Sequence, residues 1–170
     1  MLNQKKQRGV TLIELVITVV VLAIIIAFAV PSYQQMAAKS AIRAASQDLR
    51  SALSETRAEA LGQRKAVALE STSGTCGEAE VEGWAHGWEF TTFTNDKRQW
   101  RVEHCYIEIT VTPSDTDSIT FLRSGFYKKA SSDDEGAEFC ISSPRANNYV
   151  HKVKVSVNGQ INVHHASTCG

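Results

Sequence analysis

GVTLIELVITVVVLAIIIAFAVP, residues 9–31, decides how this chain is organised. Residues 10–30 form an apolar run of 21 residues carrying one charge, Glu14. As a helix the run spans about 32 Å, close to the thickness of a bilayer's hydrocarbon core. Before it, residues 1–9 are short and polar, with Lys5, Lys6 and Arg8. Positive charge there holds the extreme N-terminus on the cytoplasmic side and sends the bulk of the chain across. A secretory signal peptide starts the same way, but its apolar region is shorter and ends in a small-x-small cleavage site. Here the run ends in Phe28-Ala29-Val30-Pro31, so the segment is expected to be retained.

The remainder is a mixed, polar chain. Of 170 residues, 43% are hydrophobic and 21% charged, with 18 basic against 18 acidic side chains. That balance suits one folded domain with an appendage and excludes a disordered chain. It also lacks the basic excess of a typical nucleic-acid-binding protein.

Glu14 needs an explanation. A carboxylate at the centre of a spanning helix costs about 2.5–3.5 kcal/mol, less toward its end, and such residues are usually functional. The string Gly9-Val10-Thr11-Leu12-Ile13-Glu14 resembles the type IV prepilin signature: a short basic leader ending in Gly, then an apolar helix whose fifth residue is Glu. The resemblance implies cleavage after Gly9 by a prepilin peptidase and N-methylation of the new terminus at Val10, where the family more often has Phe or Met. It also implies that Glu14 is an assembly contact, pairing with the N-terminal amine of a neighbouring subunit. Burying a carboxylate in a helix bundle does require a partner charge. The leader holds three basic residues and no acid, so the processed chain would carry 15 basic and 18 acidic side chains.

Pro31 closes the apolar run, and the resemblance implies a helix kink there rather than a stop. From 32 to about 63 the chain is rich in helix formers. Ala38, Ile42, Ala45, Leu49, Ala52, Thr56 and Ala60 recur at steps of three and four, one narrow stripe expected to lie on a sheet. Arg43, Arg50, Arg57 and Arg64 recur every seven residues on another face, and Gly62 is expected to end the helix. Beyond it, residues 67–69, 88–93, 100–112, 118–127, 138–142 and 150–165 carry the alternation of strands. Asn158-Gly159 between Val157 and Ile161 is a strong hairpin signal. The expected fold is α+β, a long kinked N-terminal helix on antiparallel sheet. Its boundaries are a leader at 1–9, a transmembrane and assembly helix at 10–31, an amphipathic continuation at 32–63 and an extracytoplasmic β-rich domain at 64–170.

Residues 53–69, LSETRAEALGQRKAVAL, resemble the helix-to-first-strand junction of the FimT/FimU/GspH family of minor pilins and pseudopilins. Residues 149–163, with the Asn-Gly hairpin, resemble that family's last strand pair. The middle, residues 70–136, carries no such match. Cys76, Cys105, Cys140 and Cys169 allow three disulfide connectivities in an exported domain. Sequential pairing closes two separations of 29 residues. The resemblance to pilins, which commonly staple their C-terminal region, favours Cys140 with Cys169.

Catalytic and cofactor chemistry finds no motif. His86, His104, His151, His164 and His165 lack zinc-ligand spacing, no GxSxG elbow is present, and Asp133-Asp134-Glu135-Gly136 lacks EF-hand spacing. The chain reads as a substrate of a peptidase and methylase, with no enzyme activity and no cofactor. The FimT branch binds DNA, and resemblance to it would require a GRxR-like string after the hairpin glycine; this chain has Gly159-Gln160-Ile161-Asn162. Lys152, Lys154, His151, His164, His165 and Lys128-Lys129 leave only small basic clusters. The expected function is therefore a FimU-like minor pilin that helps initiate type IV pilus assembly at or near the tip. The alternatives are a GspH-like pseudopilin of type II secretion and a FimT-like DNA-binding subunit. Expected partners are other minor pilins, the major pilin, the prepilin peptidase and inner-membrane lipid. The expected location is the bacterial inner membrane, with the C-terminal domain periplasmic, and then the surface pilus.

Overall fold

The computed structural model describes residues 11–114, 116–128 and 136–169. One helix, α1 (Leu12–Gln63), runs for 52 residues before the first strand. It continues through Pro31, whose ring nitrogen has no proton for the Ala27 carbonyl four residues back. The helix passes Gly62 and ends at Gln63, one residue beyond the expected stop. Arg64 caps it in the left-handed conformation, φ 56°.

All seven residues of the predicted stripe are buried, joined by Ala41, Ser46 and Leu53. They lie against two four-stranded antiparallel sheets. The first has the order β5 (Lys97–Arg101), β4 (Gly87–Thr91), β1 (Val67–Thr72), β7 (Ser118–Phe121). The second has the order β10 (Ile161–Ala166), β9 (Val150–Ser156), β8 (Gly136–Ser142), β6 (Glu108–Thr112). A small hairpin pairs β2 (Gly74–Cys76) with β3 (Ala79–Val81). The stripe is rich in alanine, so the backbone of α1 can approach both sheets while Ile42, Leu49 and Leu53 fill the space between Trp88, Phe121, Phe139, Val153 and Val155. Trp84, in a 3₁₀ turn before β4, meets Phe139 of the second sheet edge-on at 4.8 Å and donates to the Thr116 carbonyl at 2.7 Å.

Three details depart from the sequence reading. Residues 100–112 make two strands on different sheets, because Cys105 is drawn to Cys76 and the Ile107 N–H closes a turn on the His104 carbonyl. Residues 118–127 form a strand only to Phe121; Leu122 and Phe126 then close a turn, and Phe121 bridges to Tyr127. The β2–β3 hairpin, short and rich in Gly and Glu, carried no alternation to reveal it.

Disulfides join Cys76 to Cys105 and Cys140 to Cys169. The first staples the β2–β3 hairpin to the loop before β6, and the second ties the segment after β10 back to β8. Each 29-residue separation removes roughly 3.5 kcal/mol of unfolded-chain entropy in the loop-closure model.

The helix, the turn after β7 and the β9–β10 hairpin meet at one point. Arg57 Nε donates to the Gly125 carbonyl at 2.9 Å, and Gly125 and Gly159 hold φ of +76° and +75°. A Cβ on Gly159 would stand 1.9 Å from the Gly125 oxygen and 2.8 Å from Arg57 Nε. Gly62, by contrast, is helical and has nothing within 4 Å of its would-be Cβ. The same substitution therefore has opposite signs at the two sites. Gly159→Ala should cost about 3 kcal/mol through clash and strain, while Gly62→Ala should stabilise by about 0.5 kcal/mol. Urea unfolding of the full chain in detergent measures both, and a shared sign would refute the packing at this junction.

Candidate functional site

The first half of α1 is apolar on all sides and, among the described residues, covered by nothing in its own chain. Residues 11–36 are all exposed, and Ala38 is the first buried position. An 18-residue window of this segment reaches a mean hydropathy of 3.1 with none of it buried. Leu12 is 82% exposed and Phe28 76%. A helix without a polar face has to be enclosed by lipid or by other helices. Thr18 Oγ1, a polar atom within this surface, donates to the Leu15 carbonyl at 2.8 Å and so presents no unsatisfied donor.

Glu14 stands in the first turn. Thr11 is the N-cap, and its Oγ1 accepts the Glu14 backbone N–H at 3.3 Å. Thr11-x-x-Glu14 has the spacing of a capping box, and an acidic side chain in a first turn gains about 0.3–1 kcal/mol from the helix dipole. That is less than the cost of enclosing a carboxylate in hydrocarbon, so dipole and cap alone do not account for it. Gly9 and Val10, the expected cleavage and methylation positions, lie outside the described residues, as does the rest of the leader.

Comparison with known proteins bears on the same two regions. Residues 4–30 match the prokaryotic N-terminal methylation motif. Residues 45–159 match the family model described as type II transport protein GspH. The chain belongs to the GspH family. Among solved structures, its fold is similar to the type IV minor pilin FimU of Pseudomonas aeruginosa (strain PAO1) in two crystal forms. Identity is 15% in both; the TM-scores are 0.58 and 0.56, covering 76% and 75% of this chain and 95% and 99% of the relatives. No curated protein matches it in sequence. The fold of this GspH-family chain is thus the pilin fold: one long N-terminal helix on antiparallel sheets with two disulfides.

Other sequence candidates fall apart or come together in space. Arg43 and Arg57 are not a free cationic row, since Arg43 donates to Tyr149 Oη and Arg57 to Gly125. Lys152 is paired with Glu138 at 2.8 Å. Lys129 and Asp133-Asp134-Glu135 lie outside the described residues. Among the described residues, no three His, Cys, Asp or Glu side chains converge as metal ligands would.

His151 does have a specific place that sequence reading missed. It shares the inward register of Val153 and Val155, opposite His165 on β10. Its Nε2 lies 3.0 Å from Tyr149 Oη and its Nδ1 3.0 Å from Ser46 Oγ. Ser46 spends its own proton on the Arg43 carbonyl at 2.8 Å, so it accepts from Nδ1–H, and Tyr149 donates to Nε2. The loop of bonds specifies neutral His151. Burial first, then the charges of His165, Arg43 and His164, hold its pKa below the usual 6.5. The unfolded chain therefore takes up this proton first as pH falls. Stability should be constant above about pH 6.5 and decline below it until the folded His151 also titrates. Glu138, lowered chiefly by its bond from Lys152, adds a separate loss below its ordinary 4.5. His151→Gln should flatten the upper window only. Equilibrium unfolding across pH tests this; an unchanged slope near pH 6 in the variant would contradict it.

Proposed function

We propose that this chain is a FimU-like minor pilin, a low-abundance subunit that helps initiate type IV pilus assembly and is incorporated at or near the tip. The carrying observation is the exposed apolar half of α1 with one carboxylate in its first turn, most of it lying within the residues that match the N-terminal methylation motif. In this reading a prepilin peptidase cuts after Gly9 and methylates the amine of Val10. The apolar helix rests in the inner membrane as a single span with the head in the periplasm. Other minor pilins and the major pilin then replace lipid around it, and Glu14 meets the N-terminal amine of a neighbour. Pairing of those two charges stabilises one axial register between helices, because any shift leaves a buried charge alone. Pro31 kinks the helix where it leaves the membrane. The similarity of the fold to FimU supports the pilus reading.

The match of residues 45–159 to the GspH model favours one second reading, a minor pseudopilin of type II secretion. Its membrane chemistry is the same and its machine different. Mass spectrometry of filaments sheared from the native host separates the two. The pilus reading predicts this chain in trace amount, beginning at N-methylated Val10. A processed chain confined to the envelope, with a deletion that blocks enzyme secretion and spares pili, would overturn it in favour of the pseudopilin.

A further inference from the structure

Where α1 leaves its exposed segment and enters the head, an open groove of about 700 Å³ is lined by Tyr33, Met36, Lys39, Arg43, His104 and Tyr106. Among the described residues, no carboxylate lines it. Its cations are held in place. The Tyr149 ring carries Lys39 Nζ at 5.7 Å and Arg43 Cζ at 5.3 Å from its centroid, and Arg43 Nε is bonded to the Tyr149 hydroxyl. His104 stacks on the Tyr106 ring at 5.1 Å, and outside the groove lining Arg145 Cζ sits 4.5 Å over the same ring. Without the leader the chain has 15 basic and 18 acidic side chains, so this basic rim runs against the overall charge.

The height of the groove identifies its occupant. With residues 10–30 in the hydrocarbon, Tyr33 stands about 4–5 Å past its edge, Lys39 about 13 Å and Arg43 about 20 Å, at the helical rise, so Lys39 is the nearer cation and Arg43 acts from farther off. The headgroup layer adds about 5–7 Å on each side, and helical side chains lean toward the N-terminus, here toward the membrane. Long cationic side chains reach back to phosphates in this geometry. Tyr33, 67% exposed, supplies the amphipathic ring favoured at that depth.

We propose that this groove binds the phosphates of anionic phospholipids and seats the base of the head on the membrane before assembly. The inference rests on the membrane-anchored reading above and adds a lipid preference that anchoring alone does not require. The test is electron spin resonance of the full chain in phosphatidylcholine vesicles containing spin-labelled phosphatidylglycerol or spin-labelled phosphatidylcholine. Each cation near an anionic headgroup is worth about fivefold in association, so restricted phosphatidylglycerol should exceed phosphatidylcholine several-fold, less so at high salt. Lys39→Gln should lower the ratio and Lys39→Gln with Arg43→Gln should bring it toward that of the remaining cations, which all variants share. Arg43→Lys, which keeps the charge and loses the guanidinium's bond to Tyr149, should retain the selectivity. Equal restriction of the two lipids, or selectivity unchanged in the double variant, overturns the groove proposal and leaves anchoring intact. Equal restriction with the groove covered instead by an acidic subunit surface in filaments would make it a protein contact. No restricted lipid of either kind would contradict anchoring itself.

Discussion

A helix that is apolar around its whole circumference cannot stay in water, and among the described residues of this chain nothing covers residues 11–36. Lipid or neighbouring helices can satisfy that constraint, and the two solvents differ little for Leu, Ile and Val. They differ greatly for Glu14. In a bilayer the carboxylate can lie near the headgroups, whereas in a bundle it needs a cation. In the proposed assembly, one acidic side chain would thus give a non-directional apolar surface a defined register.

The second half of the same helix obeys a different rule. From Ala38 onward its apolar residues narrow to a stripe of mostly small side chains that two sheets cover completely. Helix and sheets are then joined by specific contacts: Arg57 against Gly125 and Gly159, and Arg43 and Ser46 against Tyr149 and His151. The two disulfides fasten the peripheral segments, the β2–β3 hairpin and the tail beyond β10.

Much of this was legible in the sequence because the responsible signals are local and periodic. The apolar run, the three-and-four stripe from Ala38 to Ala60 and the Asn158-Gly159 hairpin each state their structure within a few residues. Residues 100–112 misled because strand-forming content continues across Cys105, while the break is imposed by a partner 29 positions away. Gly62 looked like a stop, but the αL position fell on Arg64. The Arg43–Tyr149–His151–Ser46 network was invisible because its members are separated by more than one hundred residues and only the fold brings β9 against α1. The same holds for the groove beneath the head, where Lys39 and Arg43 meet His104 and Tyr106.

The central claim is that Glu14 acts between subunits and not merely as the first-turn residue of its own helix. Glu14→Gln isolates that claim, since the amide keeps the side-chain size while removing the charge. The variant should be processed and retained in the membrane, with its amount in sheared filaments of the native host reduced at least tenfold relative to the unmodified chain, the effect of about 1.4 kcal/mol. Incorporation of Glu14→Gln at the unmodified level would contradict the account.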